Sequence, residues 1–146
     1  MKKECLTQGS GQTKKLGKVL AKTLSKVRFR NKAIVVGLRG DLGGGKTTFS
    51  QGFAKGLGKK AKILSPTFII MRRLGNFYHI DAYRIRGPQD LLGLGFKKIV
   101  ADPKNVVVIE WADRVKKILP SDTTWVDFDF IDKNKRKITI RIKDGR

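Results

Sequence analysis

The stretch Gly40-Asp41-Leu42-Gly43-Gly44-Gly45-Lys46-Thr47-Thr48 matches the pattern G-x-x-x-x-G-K-[ST], in which a glycine-rich loop binds the phosphates of a nucleotide. Glycines let successive backbone N–H groups converge on phosphate oxygens, because no Cβ atom stands in the way. In this pattern Lys46 supplies a positive charge to the β- and γ-phosphates, and the hydroxyl of Thr47 binds Mg²⁺. A helix that begins at the loop adds the partial positive charge of its N-terminus.

The sequence on both sides of the loop supports this interpretation. Residues 33–38, which read AIVVGL, are apolar and β-branched, as in a short buried strand. After the loop, Gly56 and Gly58 mark the end of a segment in which apolar residues recur at helical spacing, at Phe49, Phe53, Ala54 and Leu57. Strand, loop and helix form the order that a phosphate-binding loop requires. We therefore predict a P-loop rather than a glycine-rich turn with an incidental lysine.

Length and composition predict one folded domain that spans residues 1–146. Such a chain, with 40% hydrophobic residues, is long enough for one core and short for two. Its apolar runs are much shorter than the roughly 18 residues of a membrane span. The charged N-terminus, 1–5, leads into polar residues, unlike a signal peptide. Cys5 is the only cysteine, which excludes an internal disulfide and favours a cytoplasmic location.

The formal net charge of the chain is +21. An excess of this size attracts nucleic acid, anionic nucleotides or an acidic partner protein. Paired lysines are scattered along the whole chain, however, at 14–15, 59–60, 97–98 and 116–117. A lysine-rich proteome with solvated surface lysines explains such a pattern equally well. The sequence leaves both interpretations open.

The rest of the chain alternates predicted helices and strands. An amphipathic helix over 13–24 precedes the P-loop strand, and a loop at Ser65-Pro66-Thr67 leads into a hairpin of strands 68–71 and 77–80. A short helix follows at 89–94, then a strand at 106–109, a helix at 112–119, and antiparallel strands at 125–131 and 137–142. This order predicts an α/β, P-loop NTPase fold, with helices flanking a mixed β-sheet that has a parallel centre.

Two carboxylates stand at the ends of predicted strands. Glu110 closes the apolar strand 106–109, where a P-loop ATPase carries its Walker-B acid, and Asp81 closes the strand 77–80. Ligands gather at the carboxyl ends of strands in an open α/β sheet, and Mg²⁺ prefers hard oxygen ligands. We therefore predict that Glu110 and Asp81 lie near the phosphates, rather than serving as surface acids that cap turns.

Two further residues near these acids have less specific patterns. His79 is the only histidine and lies on the same strand face as Asp81, which invites a catalytic role. A partly buried, hydrogen-bonded structural histidine is the favoured interpretation. Trp111 follows Glu110, and the sequence leaves open whether its ring shields the site or belongs to the core.

Four motifs occur in a set order along the chain: the P-loop, the segment Ser65-Pro66-Thr67-Phe68, the box His79-x-Asp81-x-Tyr83-Arg84, and the pair Glu110-Trp111. Taken together and in this order, they resemble the TsaE (YjeE) family of bacterial P-loop ATPases. Thr13, early in the chain, and Arg136, before the terminal strand, also resemble that pattern, so the likeness covers nearly the whole chain. It implies an ATPase, weak alone, that assists the TsaD and TsaB proteins in forming N6-threonylcarbamoyladenosine in ANN-decoding tRNAs, with ATP and Mg²⁺ as cofactors and tRNA as an indirect or transient partner.

The resemblance also implies a role for individual residues. Lys46 would contact phosphate, Thr47 and Glu110 would hold Mg²⁺, and Asp81 would organise or activate the attacking water. The remaining nucleotide contacts would come from the loop, at Asp41, Leu42, Gly43, Gly44, Gly45 and Thr48, and from Thr13 and Arg136 beside the base or ribose. Ser65 and Thr67 would form a segment that responds to the γ-phosphate.

The sequence departs from the family pattern at two positions and in one segment. Gly44 and Ala82 replace an alanine and a larger apolar residue, while the segment 96–99 is basic where relatives carry an acid. The last departure bears on partner contact rather than on the nucleotide site. Two other functions stay open. One is a small-molecule or nucleoside kinase, although the segment 87–104 is short for the lid that a kinase needs. The other is a basic nucleic-acid-binding module with a vestigial P-loop.

Overall fold

The computed structural model describes residues 1–27, 30–41, 45–60 and 70–143. Within these ranges the elements follow the order β1 (Lys2–Gln8), α1 (Gly9–Ser25), β2 (Ile34–Gly40), α2 (Lys46–Gly56), β3 (Met71–Leu74), β4 (Phe77–Asp81), α3 (Pro88–Leu92), α4 (Phe96–Ala101), β5 (Val106–Glu110), a 3₁₀ helix (Ala112–Ile118), β6 (Thr124–Phe130) and β7 (Lys135–Arg141).

The strands form one sheet in the order β1-β7-β6-β2-β5-β4-β3. The four central strands, β6, β2, β5 and β4, are parallel to one another. The outer strands β7, β1 and β3 run antiparallel to their neighbours. This arrangement confirms the predicted α/β fold, a mixed sheet with a parallel centre that is flanked by helices.

Helices cover both faces of the sheet and create two apolar cores. Helices α1 and α2 pack on one face, where Phe49 and Phe53 meet alternate residues of the central strands. Helices α3 and α4 and the 3₁₀ helix pack on the other face through Leu91 and Phe96. Helix α1 approaches α2 so closely that a Cβ atom at Gly52 would collide with the backbone carbonyl of Lys14. The close approach fixes where α1 begins relative to the P-loop helix.

Several elements differ from the sequence predictions. Strand β1 was not predicted, because it is an edge strand in which most side chains are polar and exposed. Helix α1 begins at Gly9 rather than at residue 13, and Val19, whose spacing from Leu16 and Leu20 predicts an apolar face, is 51% exposed. Helix α4 was also not predicted, since the glycines before it made the segment look irregular.

The predicted hairpin is present, but its first strand is displaced. Strand β3 runs from Met71 to Leu74 and pairs with β4 across the turn at Gly75 and Asn76. The predicted strand 68–71 therefore overlaps β3 only at Met71, and residues 68 and 69 lie outside the described ranges. In the part of the chain that is described, no helix combines the length and the apolar character needed to cross a bilayer.

Candidate nucleotide-binding site

The P-loop connects β2 to α2 at the carboxyl edge of the parallel strands. Strands β4 and β5 end at the same edge, so that Asp81 and Glu110 lie side by side in register. Alternation along the strands places both acids on the face that carries α2. The predictions for Leu42, Gly43 and Gly44, and for Ser65 and Thr67, lie outside the described residues.

Lys46 is buried and bound by its own loop. Its Nζ donates hydrogen bonds to the backbone oxygens of Gly40, at 2.5 Å, and of Asp41, at 2.8 Å. Burial lowers the pKa of Lys46, and nearby carboxylates, Glu110 foremost, oppose that shift. Gly45, which precedes α2, has a φ of +97°, a conformation that favours glycine. The lysine therefore holds its position through carbonyl contacts that phosphate oxygens can replace.

The indole of Trp111 lies against the same lysine. The Nζ of Lys46 is 4.1 Å from the centre of the Trp111 ring, and the ring of Tyr83 lies 4.9 Å away on a tilted plane. Among the described residues, Trp111 is the only one other than glycine with a positive φ, at 59°. A bulky residue in this region is strained, and such strain clusters at functional sites. The sequence left open whether the Trp111 ring shields the site or belongs to the core; the ring lies against the P-loop lysine and also packs against the apolar core on the other face of the sheet.

The carboxylate of Glu110 is held from two directions. Its Oε1 accepts a hydrogen bond from the hydroxyl of Thr47 at 2.9 Å, and its Oε2 lies 2.6 Å from Nε2 of His79. Glu110 is 3% exposed and His79 is 1% exposed. His79 is buried and hydrogen-bonded, as predicted. The sequence did not identify its partner, because the contact joins two neighbouring strands.

Asp81 occupies a half-buried position beside Glu110. Its Oδ1 accepts a hydrogen bond from the backbone N–H of Tyr83 at 3.0 Å. Burial raises the pKa of Asp81, and the charge of Glu110 acts in the same direction. The Tyr83 N–H, His79 and Lys46 oppose the shift. The result is a carboxylate of increased basicity that lies near the P-loop without belonging to the Glu110 hydrogen-bond network.

A cavity of about 180 Å³ lies beside the P-loop, on the side of α1. Its lining includes the predicted contacts Thr13, Gly45, Thr48 and Arg136, together with Gly9, Ser10, Lys133 and Asn134, which the sequence did not indicate. The backbone N–H of Gly9 donates to the oxygen of Asn134 at 2.7 Å, which ties the start of α1 to the β6–β7 turn. The predicted antiparallel strands 125–131 and 137–142 imply a turn at Asp132-Lys133-Asn134, but its position beside the P-loop was not recognisable from the sequence.

The Arg136 side chain is held at the rim of this cavity. Its guanidinium lies 4.6 Å from the ring centre of Phe130. It donates hydrogen bonds to the backbone oxygens of Asp132, at 2.5 Å, and of Lys135, at 2.9 Å. Thr13 also lines this cavity and is buried; its hydroxyl meets that of Thr7 at 2.9 Å, and its methyl group lies next to Gly45. The cavity therefore has a charged, planar group at its rim and a buried threonine beside the P-loop glycine.

The residues at the loop fit Mg²⁺ bound jointly with a nucleotide. The hydroxyl of Thr47 and the carboxylate of Glu110 provide hard oxygen donors 2.9 Å apart. Among the described residues, no group of three or more His, Cys, Asp or Glu side chains forms a metal cage. Mg²⁺ commonly binds through one or two carboxylates plus substrate phosphates, so a single acid beside the P-loop suffices.

Comparisons with known proteins agree with this architecture. The family model for "Threonylcarbamoyl adenosine biosynthesis protein TsaE" matches residues 7–138. The chain is 37% identical to "tRNA threonylcarbamoyladenosine biosynthesis protein TsaE" of Rickettsia felis, over 88% of this chain and 74% of the relative. It is 34% identical to the protein of the same name in Treponema pallidum, over 93% and 98% of the two chains. The crystal structure of Bacillus subtilis YdiB superposes with a TM-score of 0.78 at 27% identity, covering 100% of this chain and 88% of that chain.

Proposed function

The chain belongs to the family of threonylcarbamoyl adenosine biosynthesis protein TsaE, and from this premise we propose that it is an ATP-hydrolysing accessory protein. Its hydrolysis is weak alone and serves the formation of N6-threonylcarbamoyladenosine in ANN-decoding tRNAs. It acts in the cytoplasm as a single ATPase domain together with TsaD and TsaB proteins. Membership of the family supports the pathway, and the geometry of the P-loop supports the chemistry.

The observation that carries the proposal is the hydrogen bond between Thr47 and Glu110. A hydroxyl at the start of α2 and a carboxylate at the end of β5 come within 2.9 Å of each other. These are the positions that the P-loop hydroxyl and the Walker-B acid occupy in P-loop NTPases. Mg²⁺, when bound, neutralises charge on the β- and γ-phosphates. The two side chains would hold that ion, and His79 keeps the carboxylate turned toward Thr47.

Lys46 and the start of α2 would bind the phosphates. The lysine ammonium would exchange the carbonyls of Gly40 and Asp41 for phosphate oxygens. Both sets of partners are oxygen acceptors, and the charge of the phosphates makes the second set stronger. Backbone N–H groups at the start of α2 have no partner within the helix and would point at the same anion.

Asp81 would orient the attacking water and accept its proton. It lies next to Glu110 in register but outside the Thr47–Glu110–His79 hydrogen bonds. Burial raises its pKa, so its carboxylate is a stronger base than an exposed aspartate. The cavity lined by Thr13 and Arg136 would receive the base or ribose of ATP.

The proposal is tested by analysing the nucleosides of bulk tRNA from cells depleted of this protein. We expect threonylcarbamoyladenosine to disappear, and to be restored by the wild-type gene but not by Lys46→Ala. Lys55→Ala is the matched control, because Lys55 lies on the same helix and is exposed. An undiminished nucleoside level after depletion would refute the assignment to tRNA modification.

The chemistry is tested separately with purified protein and its partners. We expect Lys46→Ala to lose hydrolysis by roughly 100-fold or more, as when one preorganised donor to a transition-state charge is removed. Glu110→Gln should retain part of the ATP affinity but lose the Mg²⁺-dependent turnover. Phosphate transferred to a small acceptor instead of water would replace the ATPase assignment with a kinase.

A further inference from the structure

The positive charge of this chain is concentrated in its first half. Residues 5–80 contain sixteen lysine and arginine residues and a single acid, Asp41, so that this part carries +15 of the net +21. Helices α1 and α2, which form one layer over the sheet, contain no aspartate or glutamate at all. A uniformly basic protein would not divide its acids in this way. The layer formed by α1 and α2 is therefore an acid-free, positively charged face.

Four lysines form a line along this face. Lys15, Lys18 and Lys22 lie on α1, Lys26 caps its C-terminus, and all four are exposed. Their spacings of three, four and four residues put them on one side of the helix. At 1.5 Å of rise per residue the line is about 16 Å long. We call these four residues the lysine stripe.

Within the described part of the chain, no acid forms an ion pair with the lysine stripe. Some basic residues elsewhere do have acidic partners: Arg39 and Arg141 both contact Asp127. Lys2 and Lys137 similarly share Glu4. The charges of the lysine stripe are therefore available to an external partner, and they are arranged along the axis of one helix.

Along the axis of α1, the stripe begins at the level of the cavity beside the P-loop. Gly9, Ser10 and Thr13, in the first turns of α1, line the cavity beside the P-loop. Lys15 follows Thr13 by two residues, and the other lysines continue along the helix away from the cavity. Two residues correspond to about 200° of helix rotation, so Lys15 lies on the outer side of α1, and an extended polyanion along the stripe would have one end at the level of the cavity on that outer side.

We propose that the lysine stripe binds the phosphate backbone of RNA. Lysine is depleted in protein–protein interfaces, whose cores use aromatic, methionine and arginine side chains. Along α1 the single large exposed apolar residue is Val19, so an acidic protein would find no apolar centre. A row of positively charged side chains is sufficient to bind backbone phosphates, and this binding does not depend on the nucleotide sequence. This inference rests on the proposed function only for the choice of tRNA as the RNA.

The test measures tRNA affinity at several salt concentrations, from about 50 to about 200 mM. The stripe variant carries Lys15→Gln, Lys18→Gln, Lys22→Gln and Lys26→Gln. The matched control carries Lys97→Gln, Lys98→Gln, Lys116→Gln and Lys117→Gln, which are exposed on the opposite layer and remove the same charge. We expect the stripe variant to bind tRNA roughly tenfold or more weakly than wild type, and the slope of its log affinity against log salt concentration to become smaller by about 3. The control variant should keep the wild-type affinity and the wild-type slope.

Equal losses in the two variants would overturn the proposal, because the binding would then follow net charge alone. Polyglutamate serves as the competing probe: if the stripe variant lost polyglutamate binding and kept tRNA binding, the partner would be an acidic protein. Thermal melting confirms that both variants fold.

The ATP assay separates this inference from the proposed function, since the stripe variant should hydrolyse ATP normally and Lys46→Ala should bind tRNA normally. If the wild type bound tRNA through the stripe but hydrolysed no ATP, the RNA-binding proposal would be supported and the proposed ATPase function would be refuted.

Discussion

His79 on β4 and Glu110 on β5 form a buried pair, with Nε2 of the histidine 2.6 Å from Oε2 of the acid. The other carboxylate oxygen of Glu110 accepts the hydroxyl hydrogen of Thr47. The carboxylate is therefore oriented from both sides before any ligand binds. A buried acid without such partners would carry a large desolvation cost. His79 is a positioning residue, which acts on the nucleotide site through Glu110.

Replacing His79 should change the Mg²⁺ dependence of ATP hydrolysis. Outer contacts of metal ligands typically contribute about 10–100-fold to metal affinity or activity. We expect His79→Ala to raise the Mg²⁺ concentration at half-maximal rate within that range. His79→Gln should recover part of the effect, because its amide nitrogen can replace Nε2. The measurement is a Mg²⁺ titration of the hydrolysis rate at saturating ATP.

Phe77→Leu provides the control for packing, since Phe77 is buried on the same strand face. It should lower the melting temperature and leave the Mg²⁺ midpoint unchanged. If His79→Ala reduced the rate with a wild-type Mg²⁺ midpoint, its role would be structural only.

ATP binding should change the fluorescence of Trp111. The Nζ of Lys46 lies 4.1 Å from the Trp111 ring, and phosphate would draw it away. The chain has a second tryptophan, Trp125, which stacks with Arg39 at 4.3 Å outside the P-loop. We expect Trp125→Phe to retain the emission change on adding ATP and Mg²⁺, and Trp111→Phe to lose it. A change that persisted in Trp111→Phe would place the reporter elsewhere.

The centre of the fold was predictable because its signals are local. The apolar strands β2 and β5 and the P-loop between strand and helix each lie within one short stretch of sequence. The edge strand β1 gave no such signal, since its pairing with β7 depends on backbone hydrogen bonds between residues 2–8 and residues 135–141, which lie far apart in the sequence. Helix propensity likewise did not reveal α4, which begins after Gly95 in a left-handed conformation.

The residues of the candidate site were likewise predictable only where they belong to local sequence motifs. Spacing alone indicated Lys46, Thr47 and Glu110, because each belongs to a motif with a known geometry. Thr13 and Arg136 came only from the family resemblance, and the turn that brings Arg136 to the cavity is a tertiary feature. The pairing of His79 with Glu110 depends on β4 lying beside β5, an order that single-strand patterns do not contain.

Replacing Asp81 with asparagine should stabilise the protein while reducing hydrolysis. Burial raises the pKa of Asp81 above its ordinary value of 3.8, so the folded state holds the proton more tightly than the unfolded state. The free energy of unfolding therefore falls as the pH rises through the interval between the two pKa values. Above that interval the ionised group opposes folding, and Asp81→Asn removes this cost. The amide oxygen can still accept the Tyr83 hydrogen bond.

Denaturant unfolding of wild type and Asp81→Asn at neutral and acidic pH measures this effect. We expect the variant to be more stable at neutral pH, and the difference to shrink as Asp81 becomes protonated. Asp102→Asn is the control, because Asp102 is exposed. If Asp81→Asn were less stable than wild type at neutral pH, the ionised carboxylate would be shown to stabilise the fold, and the prediction would be wrong.

Arg136→Ala should weaken ATP binding without slowing the chemical step. The guanidinium lies at the rim of the cavity beside the P-loop, away from Asp81 and Glu110. A hydrogen bond to a charged group contributes about 1.5–3 kcal/mol, which corresponds to roughly tenfold or more in affinity. We expect KM for ATP to rise by that factor with kcat nearly unchanged, as when an interaction common to ground and transition states is lost.

Inorganic tripolyphosphate distinguishes a base or ribose contact from a phosphate contact. As a competitive inhibitor it occupies the P-loop and leaves the cavity empty, so its inhibition constant should be the same in Arg136→Ala and in wild type. Lys137→Ala serves as the charge control, because Lys137 is the next residue on β7 and contacts Glu4 on the opposite sheet face. If Arg136→Ala also lost affinity for tripolyphosphate, Arg136 would contact the phosphates rather than the base or ribose, because ATP and tripolyphosphate have only the phosphates in common.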